Sequence, residues 1–471
     1  MSTTTPEKFS IKTFFSHILD GIRGTEHDYT EGSLGKAITL LSIPMVLEMF
    51  MESLFGIVDV YFVSRLGPDA VASVGLTESM LTIIFAVAIG LSMATTAMVA
   101  RRIGEHNPEA ASIAGFQAVL IGVAVSLPVS VIGLTMTPWL LEQMGASAGI
   151  IENGTGYAVW MIGGNLTIVL LFLNNAIFRG AGDAVTAMHA LWVANLLNMV
   201  LDPIFIFGFG PVPAMGVTGA AIATNIGRGV GVLFQLYILI YGKRRLVFSP
   251  AVMRLDPEVL WNLIKVSVGG IFQFFITTAS WLGLVRIVAM SGSAALAGYT
   301  IAIRVIIFAI MPSWGMSNAA ATLVGQNLGA QKPDRAERAV WFTARANMFF
   351  LGVVAILFIS FAEMIIAWFT DDSQVVYYAV DCLRIISYGY VVYACGMVMV
   401  QAFNGAGDTR TPTWINLGCY WMFQIPLAYT LAVIYGFGAQ GVFAAIPIAE
   451  SVATVVSVIM FRKGHWKLQK I

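Results

Sequence analysis

VARRIGEHNP, from Val99 to Pro108, returns 225 residues later as VGQNLGAQKP, from Val324 to Pro333. The same shift carries Ser42 onto Ser267, Phe50 onto Phe275 and Gly90 onto Gly315. It also carries FRGAGDA at Phe178 onto FNGAGDT at Phe403. After a small slip, GVTGAAIA at Gly216 falls on GAQGVFAA at Gly438. A chain that repeats over half its length folds as two similar units. Each unit holds six apolar stretches of about 20 residues or more, the length that crosses a bilayer as a helix. In the first unit they fall at 36–64, 71–100, 113–140, 155–178, 185–209 and 216–241. In the second they fall at 259–290, 294–325, 339–370, 377–403, 411–436 and 440–461. Six is an even number, so both units point the same way and are related by an axis along the membrane normal. The pattern predicts an all-α polytopic membrane protein: twelve transmembrane helices in two pseudo-symmetric six-helix bundles.

Composition agrees. Only 11% of the 471 residues are charged, against about 25% in a soluble domain. Mean hydropathy is +0.81, which also excludes a disordered chain. The 26 basic and 26 acidic residues cancel, so no basic field exists for nucleic acid. Of the 26 Lys and Arg, 21 fall on the side shared by both termini; Arg65, Arg286 and Arg384 fall near the other. The positive-inside rule then places both termini in the cytoplasm of a cell-membrane protein. The expected organisation is a leader over 1–35, an N-lobe over 36–241, a cytoplasmic linker over 242–258, a C-lobe over 259–462 and a tail over 463–471. In the leader, Ile11, Phe14, Phe15, Ile18, Leu19 and Ile22 recur at helical spacing, which predicts an amphipathic helix on the membrane surface. No cleavable signal peptide is expected, since the first long apolar run begins near Ala37. Cys382, Cys395 and Cys419 suit inert buried thiols, and no cofactor is called for.

The acids inside the spans carry the functional signal. Each ionisable group at mid-bilayer costs about 2.5–3.5 kcal/mol, so it must face the protein interior or a wet cavity. The first lobe has five: Glu48, Glu52, Asp59, Glu78 and Asp202. At about 100° per residue, Glu48, Glu52 and Asp59 share one face of the first helix. Asn195, Asn198 and Asp202 share one face of the fifth. Pro203 has no N–H, which frees the carbonyl of Met199 beside them. Carboxylate, amide and carbonyl oxygens are hard ligands for an alkali cation, and the same carboxylates can carry protons. In the repeat these positions become Gln273, Thr277, Leu284, Ile303 and Leu427, or Ile425 for the last when the prolines are aligned, none of them acidic. Ion chemistry therefore belongs to the first lobe. Arg228, in the sixth span, is the expected partner for any acid neutralised structurally. Glu48, Glu52, Asn195 and Arg228 together form a possible second ion or substrate site. Arg304 and Glu450 in the second lobe are read as structural. Prolines inside the spans permit kinks, and Pro44 and Pro203 are the expected hinges. Some of the 23 Met and 30 Phe would give the lobe interface an adaptable apolar wall for organic ligands.

These residues resemble the multidrug and toxic compound extrusion (MATE) family, within the multidrug/oligosaccharidyl-lipid/polysaccharide exporter superfamily. The resemblance covers about residues 34–462. It rests on Ile43-Pro44 with Asp59 fifteen residues after the proline, and on VARRIGE at Val99, RGAGD at Arg179, NMVLDPIFIFG at Asn198, GAAIAT at Gly219, MP at Met311 and VGQNLGA at Val324. It implies a V-shaped central cleft and export of organic, often cationic or amphipathic compounds in exchange for H⁺ or Na⁺. It further implies a cation site at Asp59, Asn198, Asp202 and Thr224. QFFITTASWLGL at Gln273 lacks the acid that another branch carries on its seventh helix, so the chain looks closer to the DinF-like prokaryotic branch. Glu48 and Glu52 depart from the family's pattern. The expected function is secondary active multidrug efflux by a monomer, through alternating access. The competing readings are a lipid-linked oligosaccharide or lipid flippase and a membrane-embedded enzyme. The flippase would favour a cationic cleft, whereas the enzyme needs a catalytic constellation that the sequence does not display.

Overall fold

The computed structural model describes residues 27–242 and 245–471. The surface helix expected over Ile11 to Ile22 lies outside the described residues. The structure is 85% helical, with no strand among the described residues. Helices satisfy their backbone polar groups internally, as lipid requires.

The first lobe comprises α1 (Leu34–Ser64), α2 (Pro68–Gly104), α3 (Pro108–Gln143), α4 (Ala148–Ala181), α5 (Ala184–Phe207) and α6 (Val217–Tyr241). The second comprises α7 (Pro257–Ala289), α8 (Ser293–Gly329), α9 (Pro333–Ile366), α10 (Ser373–Ser387 and Tyr390–Gly405), α11 (Arg410–Ile434) and α12 (Gly438–Arg462). Eleven are long and apolar enough to cross a membrane. The twelfth, α10, qualifies as a pair bent by 59°. The span expected over 377–403 thus carries a bend. Its cause is local: Gly389 packs so closely on Pro447 that a Cβ there would meet the proline ring at 2.6 Å. The repeat-equivalent residue, Gly164, interrupts α4; its N–H donates to the Trp160 carbonyl, which also accepts from Asn225 of α6 at 2.9 Å.

Several helix starts are capped locally. Asn107 accepts from the Ala110 N–H, with Pro108 in the first turn. Asp256 accepts from Glu258 and Val259, with Pro257 following. Proline at the first helical position loses no hydrogen bond, since that N–H has no intrahelical partner. The internal repeat extends to single dihedral angles. Gly67 and Gly292 have φ of 102° and 103°, and Gly182 and Gly407 have 86° and 84°. His106 and Gln331, non-glycine residues at equivalent positions, also share positive φ. Asp183 caps Thr186 and Asp408 caps Thr411 with the same pair of hydrogen bonds.

Each lobe has its own apolar core. A third cluster joins the lobes near the termini, where Leu41 and Met45 of α1 meet Ala319 and Leu323 of α8. Small residues let the backbones touch there. Gly315 lies against the Met45 carbonyl, Gly104 against Gln326, and Gly329 against Arg101. Among the described residues, every hydrogen bond between the lobes lies on this terminal face. Thr322 and Gln326 of α8 donate to the carbonyls of Arg179 and Gly180, each at 3.0 Å. Arg335 reaches the carbonyls of Glu31 and Gly32 at the start of the first lobe. Conversely, Arg101 and Arg102 hold the carbonyls of Gln469 and Ile471 at the end of the second. Lys467 is bonded to Glu337, and this hydrogen bond holds its ammonium above the ordinary lysine range. Farther from the termini, Phe50 of α1 and Phe308 of α8 meet edge to face at 6.4 Å. Among the described residues, the lobes are thus hydrogen-bonded to each other at the terminal face.

Candidate cation site and cleft

The helical register of α5 buries Asn195, Asn198 and Asp202 together. Asn198 Nδ2 donates to Asp202 Oδ1 at 3.1 Å and to Thr224 Oγ1 of α6 at 3.0 Å. Gly227 makes this approach possible, because α6 lies directly on the Ala194 carbonyl of α5 there. The two donations orient the Asn198 amide so that its oxygen faces away from them. Asn198 Oδ1 and Asp202 Oδ2 are both buried and accept no hydrogen bond. Leaving such oxygens dry is costly, and a cation or a proton removes the cost. Oxygen-only donors of this kind suit a hard ion.

Asp59 of α1 is half-buried, within electrostatic reach of Asp202, Glu78 and Arg228. The structure therefore gathers Asp59, Asn198, Asp202 and Thr224 into one chamber of the first lobe. Tyr157 of α4, 4% exposed, stands in the field of Asp59, Glu78, Arg228 and Asp202. Nothing in the sequence marks this tyrosine, since an aromatic residue on an apolar helix reads as core. Glu78 is exposed and also lies within electrostatic reach of Arg304 in the other lobe. His189 is exposed.

The second grouping is dispersed. Glu48 is 1% exposed, and its Oε1 accepts from Asn175 at 3.1 Å and from Arg179 at 3.4 Å. Gln235 of α6 in turn donates to Asn175. Glu52 accepts instead from Asn195 at 3.0 Å. Arg228 forms no ion pair among the described residues. Its guanidinium lies 5.7 Å from the Phe55 ring, and Nη1 is buried without a partner. The expectation that Arg228 neutralises the acids is thus corrected for Glu48, whose partner is Arg179. The reason is reach: Arg179 ends α4 on the terminal side, level with Glu48, while Arg228 sits nearer Asp59. Among the described residues, no group of three or more His, Cys, Asp or Glu could hold a metal ion. An ion at this site would depend on two carboxylates supplemented by amide and hydroxyl oxygens. The three cysteines are free and buried.

Two repeated six-helix lobes, joined on the terminal face and carrying carboxylates within apolar spans, define a membrane transporter. The sequence profile of the MatE family matches residues 44–204 and again 270–430, one match in each lobe. The chain belongs to the MatE family. It is 27% identical over 446 residues to the "Probable multidrug resistance protein NorM" of Thermotoga maritima, covering 93% of this chain and 94% of the relative. It is 26% identical over 437 residues to the "FAD transporter" of Shewanella oneidensis, covering 90% and 93%. Among solved structures it resembles the "Outward-facing conformation of a multidrug resistance MATE family transporter of the MOP superfamily". The TM-score is 0.87 at 27% identity, covering 95% of this chain and 99% of that one.

Proposed function

We propose that this protein is a cation-coupled antiporter that exports organic, often cationic compounds in exchange for H⁺ or Na⁺. One observation carries the reading: the buried, unpartnered oxygens of Asp202 and Asn198 beside Asp59, in a lobe whose repeat has no equivalent acids. The names of the relatives support drug efflux. The excess of Lys and Arg on the terminal face supports a cytoplasmic location for that face. The conformation described is then outward-open. In the proposed cycle a cation enters from outside and neutralises Asp59 and Asp202. It alters the packing of α1 near Pro44 and of α5 near Pro203, and so favours release of substrate. A ligand can shift this equilibrium only through unequal affinity for the two states, which neutralising a buried carboxylate provides. The protein works as a monomer in the cell membrane and needs no cofactor.

Anionic cargo is the competing reading, since one relative is named for FAD and the superfamily includes lipid-linked oligosaccharide flippases. The acids Glu52, Asp59 and Glu78 on the first-lobe side disfavour it. The test uses purified protein in liposomes with an imposed pH gradient, then a Na⁺ gradient. Counter-movement of a fluorescent organic cation under either gradient is the expected result. Movement of an anionic probe alone would overturn the reading.

A further inference from the structure

The second lobe contains an acid that the proposed coupling site does not use. Glu450 lies at the midpoint of α12 (Gly438–Arg462), about 18 Å along the helix from either end. Aligning GVTGAAIA with GAQGVFAA places Glu450 on Arg228, so the same position in the two lobes carries opposite charge. Glu450 is half-buried, and among the described residues no Lys, Arg or His lies within ion-pair distance. Its Oε2 accepts from the Tyr420 hydroxyl of α11 at 3.0 Å. Tyr393 of α10 lies within electrostatic reach of it and beside Trp314 of α8. Trp314 is 47% exposed, so this corner is reachable from outside the core.

A carboxylate at mid-membrane with no cation of its own is rarely left so without a ligand. The chemistry here differs from that of the first lobe. Around Asp202 the neighbours are oxygen donors; around Glu450 they are aromatic. A small inorganic cation needs several oxygens, whereas a delocalised organic cation is held well by one carboxylate and π faces. We propose that Glu450, with Tyr420 and Trp314, forms a binding site in the second lobe for the positive group of an organic cation. The site rests on the reading that such cations are transported. It divides the labour between the lobes: coupling ion in the first, cargo charge in the second. The sequence alone favoured a structural role for Glu450, because its aromatic surroundings come from three other helices.

The test is binding of tetraphenylphosphonium to the purified full-length protein, followed by calorimetry and by quenching of tryptophan fluorescence. Glu450→Gln keeps the acceptor for Tyr420 and removes the charge. It is expected to weaken binding about tenfold. Binding of neutral triphenylphosphine oxide should not change. Trp314→Ala, at an exposed position, should weaken tetraphenylphosphonium several-fold and serves as the test if Glu450→Gln does not fold. Wild-type affinity in both variants would overturn the site while leaving organic-cation transport intact. No binding of organic cations by the wild type would overturn the transport reading, and the site with it.

Discussion

Replacing Arg179 by Gln should destabilise the protein by about 3–5 kcal/mol, and a second substitution, Glu48→Gln, should restore much of that loss. Glu48 is 1% exposed and Arg179 12%, with 3.4 Å between Oε1 and Nη1. At an effective dielectric of about 20, that separation gives an attraction of roughly 5 kcal/mol. Removing one partner of a buried pair leaves the other charge uncompensated, which typically costs 3–5 kcal/mol. Asn175 alone would then serve Glu48, whose Oε2 already lacks a partner. In the double variant a neutral amide needs no counter-charge, so at least ~2 kcal/mol should return. The assay is reversible unfolding in mixed micelles of wild type, both single variants and the double variant. Coupled transport of the double variant is measured in parallel and should persist on the proposed mechanism, in which Asp59 and Asp202 hold the coupling ion and Glu48 pairs with Arg179. The reasoning fails if Arg179→Gln costs less than about 1 kcal/mol, or if the double variant is no more stable than the single.

Three further outcomes follow from the geometry. Asn198→Ala removes the amide that links Asp202 to Thr224. Hydrogen bonds to charged groups contribute about 1.5–3 kcal/mol, so half-maximal transport should require at least tenfold more driving ion; an unchanged requirement would contradict the site. Gly90→Ala would put a Cβ 2.6 Å from the Ile271 nitrogen and 2.9 Å from the Ser267 carbonyl oxygen. Overpacking of this kind costs about 1–3 kcal/mol and should shift the conformational populations 5- to 150-fold away from the present one. Spin-label distances across the cleft would report this shift, and an unaltered distribution would contradict it. Asp408→Ala loses both hydrogen bonds to Thr411 and should cost about 1 kcal/mol in thermal stability.

The architecture was legible because its causes are local. Apolar length marks each span, and the motif repeat shows that six spans recur in the same orientation. The kinship of Asn198, Asp202 and Thr224 was also within reach. The first two share a helix face, and the resemblance to the family supplied the third. What escaped is tertiary or directional. Glu48 pairs with Arg179, 131 residues away on α4, and no spacing rule encodes that. Tyr157 stands in the field of the acids from a stretch, YAVWMIG, that reads as core. Hydropathy is blind to direction, so the 59° bend in α10 stayed hidden although Tyr388-Gly389 stood in the sequence. The lone Glu450 was visible as an intramembrane acid, but its aromatic surroundings were not.

The central claim is that Asp59 and Asp202 couple ion entry to export. It is tested most directly by comparing wild type, Asp59→Asn and Asp202→Asn in liposomes, all shown to be folded by size-exclusion chromatography. Each is assayed for gradient-driven accumulation of an organic cation. Wild type should move the cation against its own gradient under an opposing H⁺ or Na⁺ gradient, and both variants should lose this uphill movement. Uphill transport at the wild-type rate by either variant would contradict the assignment of the coupling site to that residue, and by both would contradict the mechanism.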